Sequence, residues 1–265
     1  MSSLWKALEG SRVLDLAQPM RKGMPQSPNH PPFRMALERR HGDLVRPDGG
    51  SAANEIIVTG GHVGTHVDAL AHVSQEGLLY GGRPAGEVMS HEGFSDMGID
   101  GFEPFVGRCV LLDVAAVHGV ATLPAGYEVT ADDLERAAGD MAIRAGDAVL
   151  VGTGWSRLWE AGDDFAGQRN GVPGPGADAG RWLAARRPRV VGGETIAFEH
   201  IAAGRGHATL PVHRIMLVES GINIVETMRL AELLDSGVRE FLLVLNPLPI
   251  VGATGAPVRP LAVIA

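Results

Sequence analysis

The sequence predicts an α/β (α+β) domain built on a mixed sheet, and three observations predict it. Two apolar runs, RCVLLDVA at 108–115 and DAVLVGTG at 147–154, are continuous and rich in β-branched residues, the pattern of strands buried on both faces. Helix-start signals lie between and after them, so that strand, helix and strand alternate along the chain. No internal repeat, low-complexity tract or separating linker interrupts residues 1–265, which therefore read as one domain.

Taken in order, residues 11–17 read as a first strand. The segment PMRKGMPQSPNHPPF that follows holds five prolines and no period, so it is a loop, and long loops often line binding sites. His30 lies there and reads as a solvated loop histidine. Residues 54–59, NEIIVT, form a strand running into a glycine-rich stretch. The turn-rich EGLLYGGRP after it offers Leu78, Leu79 and Tyr80 as a cover. Thr130 and Asp133 give a capping-box start to a helix reaching about Ala138. GTGWSR lacks the third glycine of a dinucleotide loop and reads as a strand-end turn; Trp155 there is a packing residue or an aromatic pocket wall for substrate. ADAGRWLAARR is a helix, and 189–194 a strand ending on Glu194. Pro211 opens a short helix closed at Gly221, after which INIVE extends to Glu226. The C-terminal segment from Phe241 reads as two apolar strands joined by a glycine-rich turn.

A net charge of −8 excludes nucleic acid and anionic membrane as natural partners. A single cysteine, Cys109, rules out an intrachain disulfide; its apolar neighbours make it an inert strand residue, and a reducing cytoplasm is its expected home. The N-terminal MSSLWKALEG lacks a signal-peptide core, and no apolar run reaches the ~18 residues of a membrane span.

The stretch that carries chemistry is GGHVGTHVDALAHV at 60–73. It places His62, His66, Asp68 and His72 within eleven residues. Thr65, Val67 and the glycines disfavour a helix. A straight strand would separate His62 from Asp68 by roughly 20 Å at about 3.3 Å per residue, too far to share an ion. The chain must fold on itself, and Gly60, Gly61 and Gly64 permit it. Two imidazoles and a carboxylate converging on one point suit a divalent metal with positions left for water or substrate. Downstream, His213 at a helix start and Glu226 at a strand end can return to one place; taken alone, each reads equally as a surface group.

These residues support metal-assisted hydrolysis of an amide-type C–N bond, because a divalent ion lowers the pKa of bound water toward about 7 and polarises a carbonyl. His72, beside the ligands, can move the proton that a leaving nitrogen requires. Two alternatives stand: an esterase or lactonase, and a non-catalytic protein that binds a metal or a small molecule. No G-x-S-x-G nucleophile elbow is present.

HVGTHVDALAH matches position for position the signature H-x-G-T-H-x-D-x-x-x-H of the cyclase family of metal-dependent hydrolases, which includes kynurenine formamidases and isatin hydrolases. The chain resembles that family nearly throughout, from DLAQPMRKGMP through LLYGGRP, VGTGWSRLW and RWLAARRPRVVGGET to LPVHRIMLVESGINIVE and GATGAPVRPLAVIA. The resemblance implies a swivelling β/β/α fold, dimers or tetramers, and one or two ions of Mn²⁺ or Zn²⁺ per chain. It implies His62, His66 and Asp68 as ligands of a first ion, His213 and Glu226 with Asp68 as ligands of a second, and His72 as general acid/base. The substrate it implies is a small molecule: an isatin-like cyclic amide or an aryl formamide. Leu70 stands where formamidases carry proline, and Glu194-Thr195-Ile196-Ala197 stands for their D-T-P-S, which tilts the likeness toward the isatin-hydrolase side.

Overall fold

A computed structural model describes residues 8–264 of the chain. The first seven residues, part of the stretch lacking a signal-peptide core, lie outside the described residues, as does Ala265. The α/β class with a mixed sheet is borne out. Nine strands lie in the spatial order Arg12–Asp15, Leu261–Ile264, Glu240–Leu245, Phe105–Asp113, Ala148–Gly152, Val190–Gly193, Asn223–Glu226, His66–Asp68 and Gly255–Pro257. From Phe105–Asp113 to Asn223–Glu226 the neighbours run parallel, and every other pairing is antiparallel.

The continuous apolar runs behave as expected because both faces of the central strands are covered. Cys109 and Leu111 point into one cluster with Leu14, Val67 and Val225. Val110 and Leu112 point into a second, beneath the helices Ala131–Ala138 and Ala177–Ala185. Cys109 is fully buried, and that burial pushes its thiol well above the ordinary range, which leaves it inert. Thr130 and Asp133 form the expected capping box. The helix opened by Pro211 is α over Pro211–His213, widens to a π-helix over Arg214–Ser220, and closes at Gly221 with φ +67°. Among the described residues, no helix is long and apolar enough to cross a membrane.

Two expectations are corrected, whereas the strand expected at 54–59 is present as Asn54–Val58, outside the main sheet. It pairs with Arg34–Arg39, a strand not expected from RMALER, to form a separate ribbon. The C-terminal segment gives three strands rather than two. Gly255–Pro257 crosses to the far edge and pairs with His66–Asp68, because Pro257 lacks a donor and an edge position tolerates that. Finally, EGLLYGGRP is a brace more than a cover. Leu79 is buried and Leu78 exposed, while the Tyr80 ring packs on Gly221, where a Cβ would stand 2.6 Å from it.

Candidate metal centre

Sheet register builds the centre. His66 and Asp68 are alternate residues of one short strand and share a face. In the antiparallel pairing with Asn223–Glu226, Glu226 stands opposite His66 and Ile224 opposite Asp68. Since Ile224 belongs to the cluster under the helices, the polar trio faces the helical side of the sheet. His213, in the first turn of its helix, comes down onto it. The result is compact: His66 Nε2 is 3.3 Å from Asp68 Oδ1 and 3.3 Å from Glu226 Oε2. His213 Nε2 is 3.1 Å from Glu226 Oε1 and 3.7 Å from Asp68 Oδ2. All four side chains are buried.

The fold-back before this strand is the one expected from the glycines. Gly64 takes φ +71°, and a Cβ on Gly61 would stand 2.6 Å from the Gly255 carbonyl oxygen, so the loop lies directly on the 254–255 turn. That turn holds His62: its Nδ1 lies 2.7 Å from Asp68 Oδ1 and its Nε2 2.9 Å from Thr254 Oγ1. Both ring nitrogens of His62 are thus engaged, and His62 groups with Asp68 and His72, whereas His66 groups with Asp68 and Glu226. Asp68 is common to both groups. The His72 ring stacks on His62 with centroids 3.8 Å apart.

The electrostatics are those of a site built for positive charge. Burial opposes protonation of His66, but the Asp68 and Glu226 carboxylates 3.3 Å away overcome it and push the imidazole up to about 10. Burial likewise works against the His213 imidazolium, yet Glu199 and Glu226 hold it well above the usual range. For Asp68, burial favours the neutral acid, and the surrounding histidines, His72 first, hold the carboxyl well below its ordinary value. Glu226 is lowered, His213 and His66 outweighing burial and the Asp68 charge. Burial dominates at His72 and depresses it to about 3. A divalent metal fits this set: His66 Nε2, Asp68 Oδ2 and Glu226 Oε1 are buried nitrogen and oxygen donors left without a hydrogen-bond partner.

Four residues of the neighbourhood were not legible as site residues. Glu199, buried, accepts hydrogen bonds from the backbone N–H of Val212 and His213 and lies 2.6 Å from His213 Nδ1, which turns His213 Nε2 toward the cluster. His30 is not a solvated loop residue: its ring stacks on His62 at 5.1 Å and lies 6.4 Å from His72. His207 Nδ1 lies 2.8 Å from Asn29 Nδ2 and ties its loop to the one carrying His30. Asn223 donates to the Asp68 carbonyl. Trp155 takes the packing alternative and not the pocket wall: it is buried in a third cluster, its Nε1–H donating to the Phe165 carbonyl. The turn it sits on is no phosphate loop either, since the N–H groups of Thr153, Gly154 and Ser156 are already given to the Glu194 carboxylate.

Comparison with known proteins places this geometry. The family described as "Putative cyclase" matches residues 14–200. A crystal structure described as a novel cyclase is 30% identical, with a TM-score of 0.84 over 96% of this chain and 88% of that one. Isatin hydrolase A from Ralstonia solanacearum is 24% identical, with a TM-score of 0.75 over 100% of this chain and 96% of that one. A structure described as a predicted metal-dependent hydrolase from Bacillus stearothermophilus is 24% identical, with a TM-score of 0.61 over 96% of this chain and 98% of that one.

Proposed function

Because the chain belongs to the cyclase family, we propose that it is a metal-dependent hydrolase of an amide-type C–N bond, opening an isatin-like cyclic amide or removing the formyl group of an aryl formamide. The observation that carries this reading is the convergence of three buried, unpartnered donor atoms, on His66, Asp68 and Glu226, with His213 Nε2 beside them. His66, Asp68, Glu226 and His213 would hold Mn²⁺ or Zn²⁺, and His62 would join them by exchanging its hydrogen bond to Asp68. When bound, such an ion acidifies a coordinated water and polarises a carbonyl oxygen.

The protein's own groups supply the rest. His72 lies against His62 and beside Asp68 without hydrogen-bonding the His66–Glu226 pair, which leaves a ring nitrogen free to take a proton from the attacking water. It then returns that proton to the leaving nitrogen, a step this bond class needs because an amide anion is a very poor leaving group. Glu199 and Asn223 keep the ligands aligned, and His30 closes the imidazole wall on the loop side.

The test is turnover of a panel of isatins, aryl formamides and lactones by protein loaded with Mn²⁺ or Zn²⁺, beside a His72→Ala variant. The expected result is hydrolysis of a cyclic amide or formamide by the wild type. The variant should lose roughly 10²–10⁴-fold in kcat while keeping its metal content. Full metal loading without turnover of any amide, or unchanged amide turnover in the variant, would overturn the reading.

A further inference from the structure

A cavity of about 560 Å³ lies between the 15–20 segment, Arg229 and the 246–259 segment. None of His62, His66, Asp68, His72, His213 and Glu226 lines it, so it is separate from the metal centre. Its walls are largely apolar, formed by Ala17, Met20, Leu248, Pro257 and Val258, and its size suits a small molecule. Two polar groups are at odds with those walls. Gln18 is buried, yet its Nε2 has no hydrogen-bond partner, although buried side-chain donors are nearly always paired. Arg229, half-buried, gives Nε and Nη2 to the Asp15 backbone carbonyl at 3.2 and 3.0 Å. It makes no ion pair among the described residues, so Nη1 and its charge remain free. We propose that this cavity binds a small amphipathic monocarboxylate, with the carboxylate on Arg229 and Gln18 and an aryl or alkyl body against Met20, Leu248 and Val258.

Charge selects the occupant. The cavity holds two guanidiniums, Arg229 and Arg259, against one carboxylate, Asp15. Arg259 Nη2 lies 2.8 Å from Asp15 Oδ2. Burial works against ionisation of Asp15, but the Arg259 hydrogen bond and the nearby guanidinium charges hold its carboxyl below the ordinary value. One positive charge is left over, in a chain whose net charge is −8. A neutral apolar ligand would desolvate that charge and the Gln18 amide while giving neither an acceptor. A dianion would set its second charge against Asp15 or the apolar wall. Inorganic phosphate has no body to cover that wall. A single carboxylate matches the charge and accepts from the guanidinium fork, and its apolar body covers the rest. Entry is from solvent, because Asn246, Leu248 and Arg259 at the rim are exposed.

Occupancy of this cavity is independent of the hydrolase reading. The test is titration calorimetry of the metal-loaded full chain with 4-phenylbutyrate and octanoate, and with 4-phenylbutyramide as a neutral counterpart. The carboxylates should bind at a single site per chain with a dissociation constant below about 1 mM, and the amide should bind at least about 10-fold more weakly. Arg229→Met should weaken carboxylate binding by a similar factor of about 10 or more. Should that variant fold poorly, Leu248→Glu serves instead: its side chain is 56% exposed, so the core is untouched, and the new carboxylate at the rim should repel the ligand to a similar extent. A carboxylate held by the metal ion rather than by the cavity would lose its affinity on chelation of the metal and keep it in both variants. That pattern, an amide that binds as tightly as the acid, or no binding of either carboxylate would each overturn the proposal.

Discussion

Glu199→Gln isolates what one buried carboxylate does for the metal centre. In the wild type its two oxygens accept the N–H groups of Val212 and His213 at 3.0 and 2.8 Å, and Oε1 also takes the His213 Nδ1 hydrogen at 2.6 Å. Glutamine has nearly the same shape but replaces one acceptor by an NH₂ donor. That donor must then face a backbone N–H or the imidazole N–H, leaving a buried donor unsatisfied at a cost of about 1–3 kcal/mol. Losing the anion also removes the charge-assisted bond that fixes the proton on Nδ1 and leaves Nε2 free to bind. Partners of this kind are worth about 10–100-fold in metal affinity. The expected outcome is a Zn²⁺ or Co²⁺ dissociation constant raised by that factor in a chelator-competition titration, together with a lower Tm. An affinity within twofold of wild type, in a variant that is folded, would refute the claim that Glu199 orients His213.

Elemental analysis of protein loaded with excess Mn²⁺ or Zn²⁺ and then desalted should find one or two ions per chain, and Asp68→Asn, which removes the carboxylate common to both groups, should retain none; full loading of that variant would separate Asp68 from the centre. Gly61→Ala forces a Cβ to within 2.6 Å of the Gly255 carbonyl, so the His62 loop must lift, costing about 1–3 kcal/mol by overpacking and weakening metal retention; an unchanged Tm and metal content would show that the loop yields freely. Asp133 is held below the ordinary carboxylate range because hydrogen bonds from Thr130, His118 and Tyr127 outweigh the opposing effect of burial. Its contribution is therefore present above the unfolded value near 3.9 and lost as pH falls through the lower folded value. Asp133→Asn should accordingly cost about 1 kcal/mol in urea unfolding at neutral pH, with the gap to wild type closing below about pH 4; a gap independent of pH would contradict this.

The histidine-rich stretch at 60–73 was legible as a candidate metal site because its logic is local. Four residues of metal-binding type within eleven positions, hinged by glycines, mark a candidate cation site and the need for a bend whatever the rest of the chain does. The buried strands were legible for a similar reason, since a continuous apolar run can satisfy its side chains only between two covered faces. Ribbon strand Arg34–Arg39 was not, because RMALER shows no alternation between a wet and a dry face, and the structure gives it no dry face.

What only the tertiary structure decided is how distant segments meet. Glu226 completes the centre because strand register sets it opposite His66, and a slip of one residue would turn it to the other face of the sheet. Glu199, His30 and the crossing of Gly255–Pro257 under His62 likewise depend on loops whose path no local pattern encodes. The amino-acid order thus specified which side chains are candidates to bind a cation. Long-range strand pairing and loop packing determined which of them share one point, because those distances are set by contacts between segments far apart in the chain.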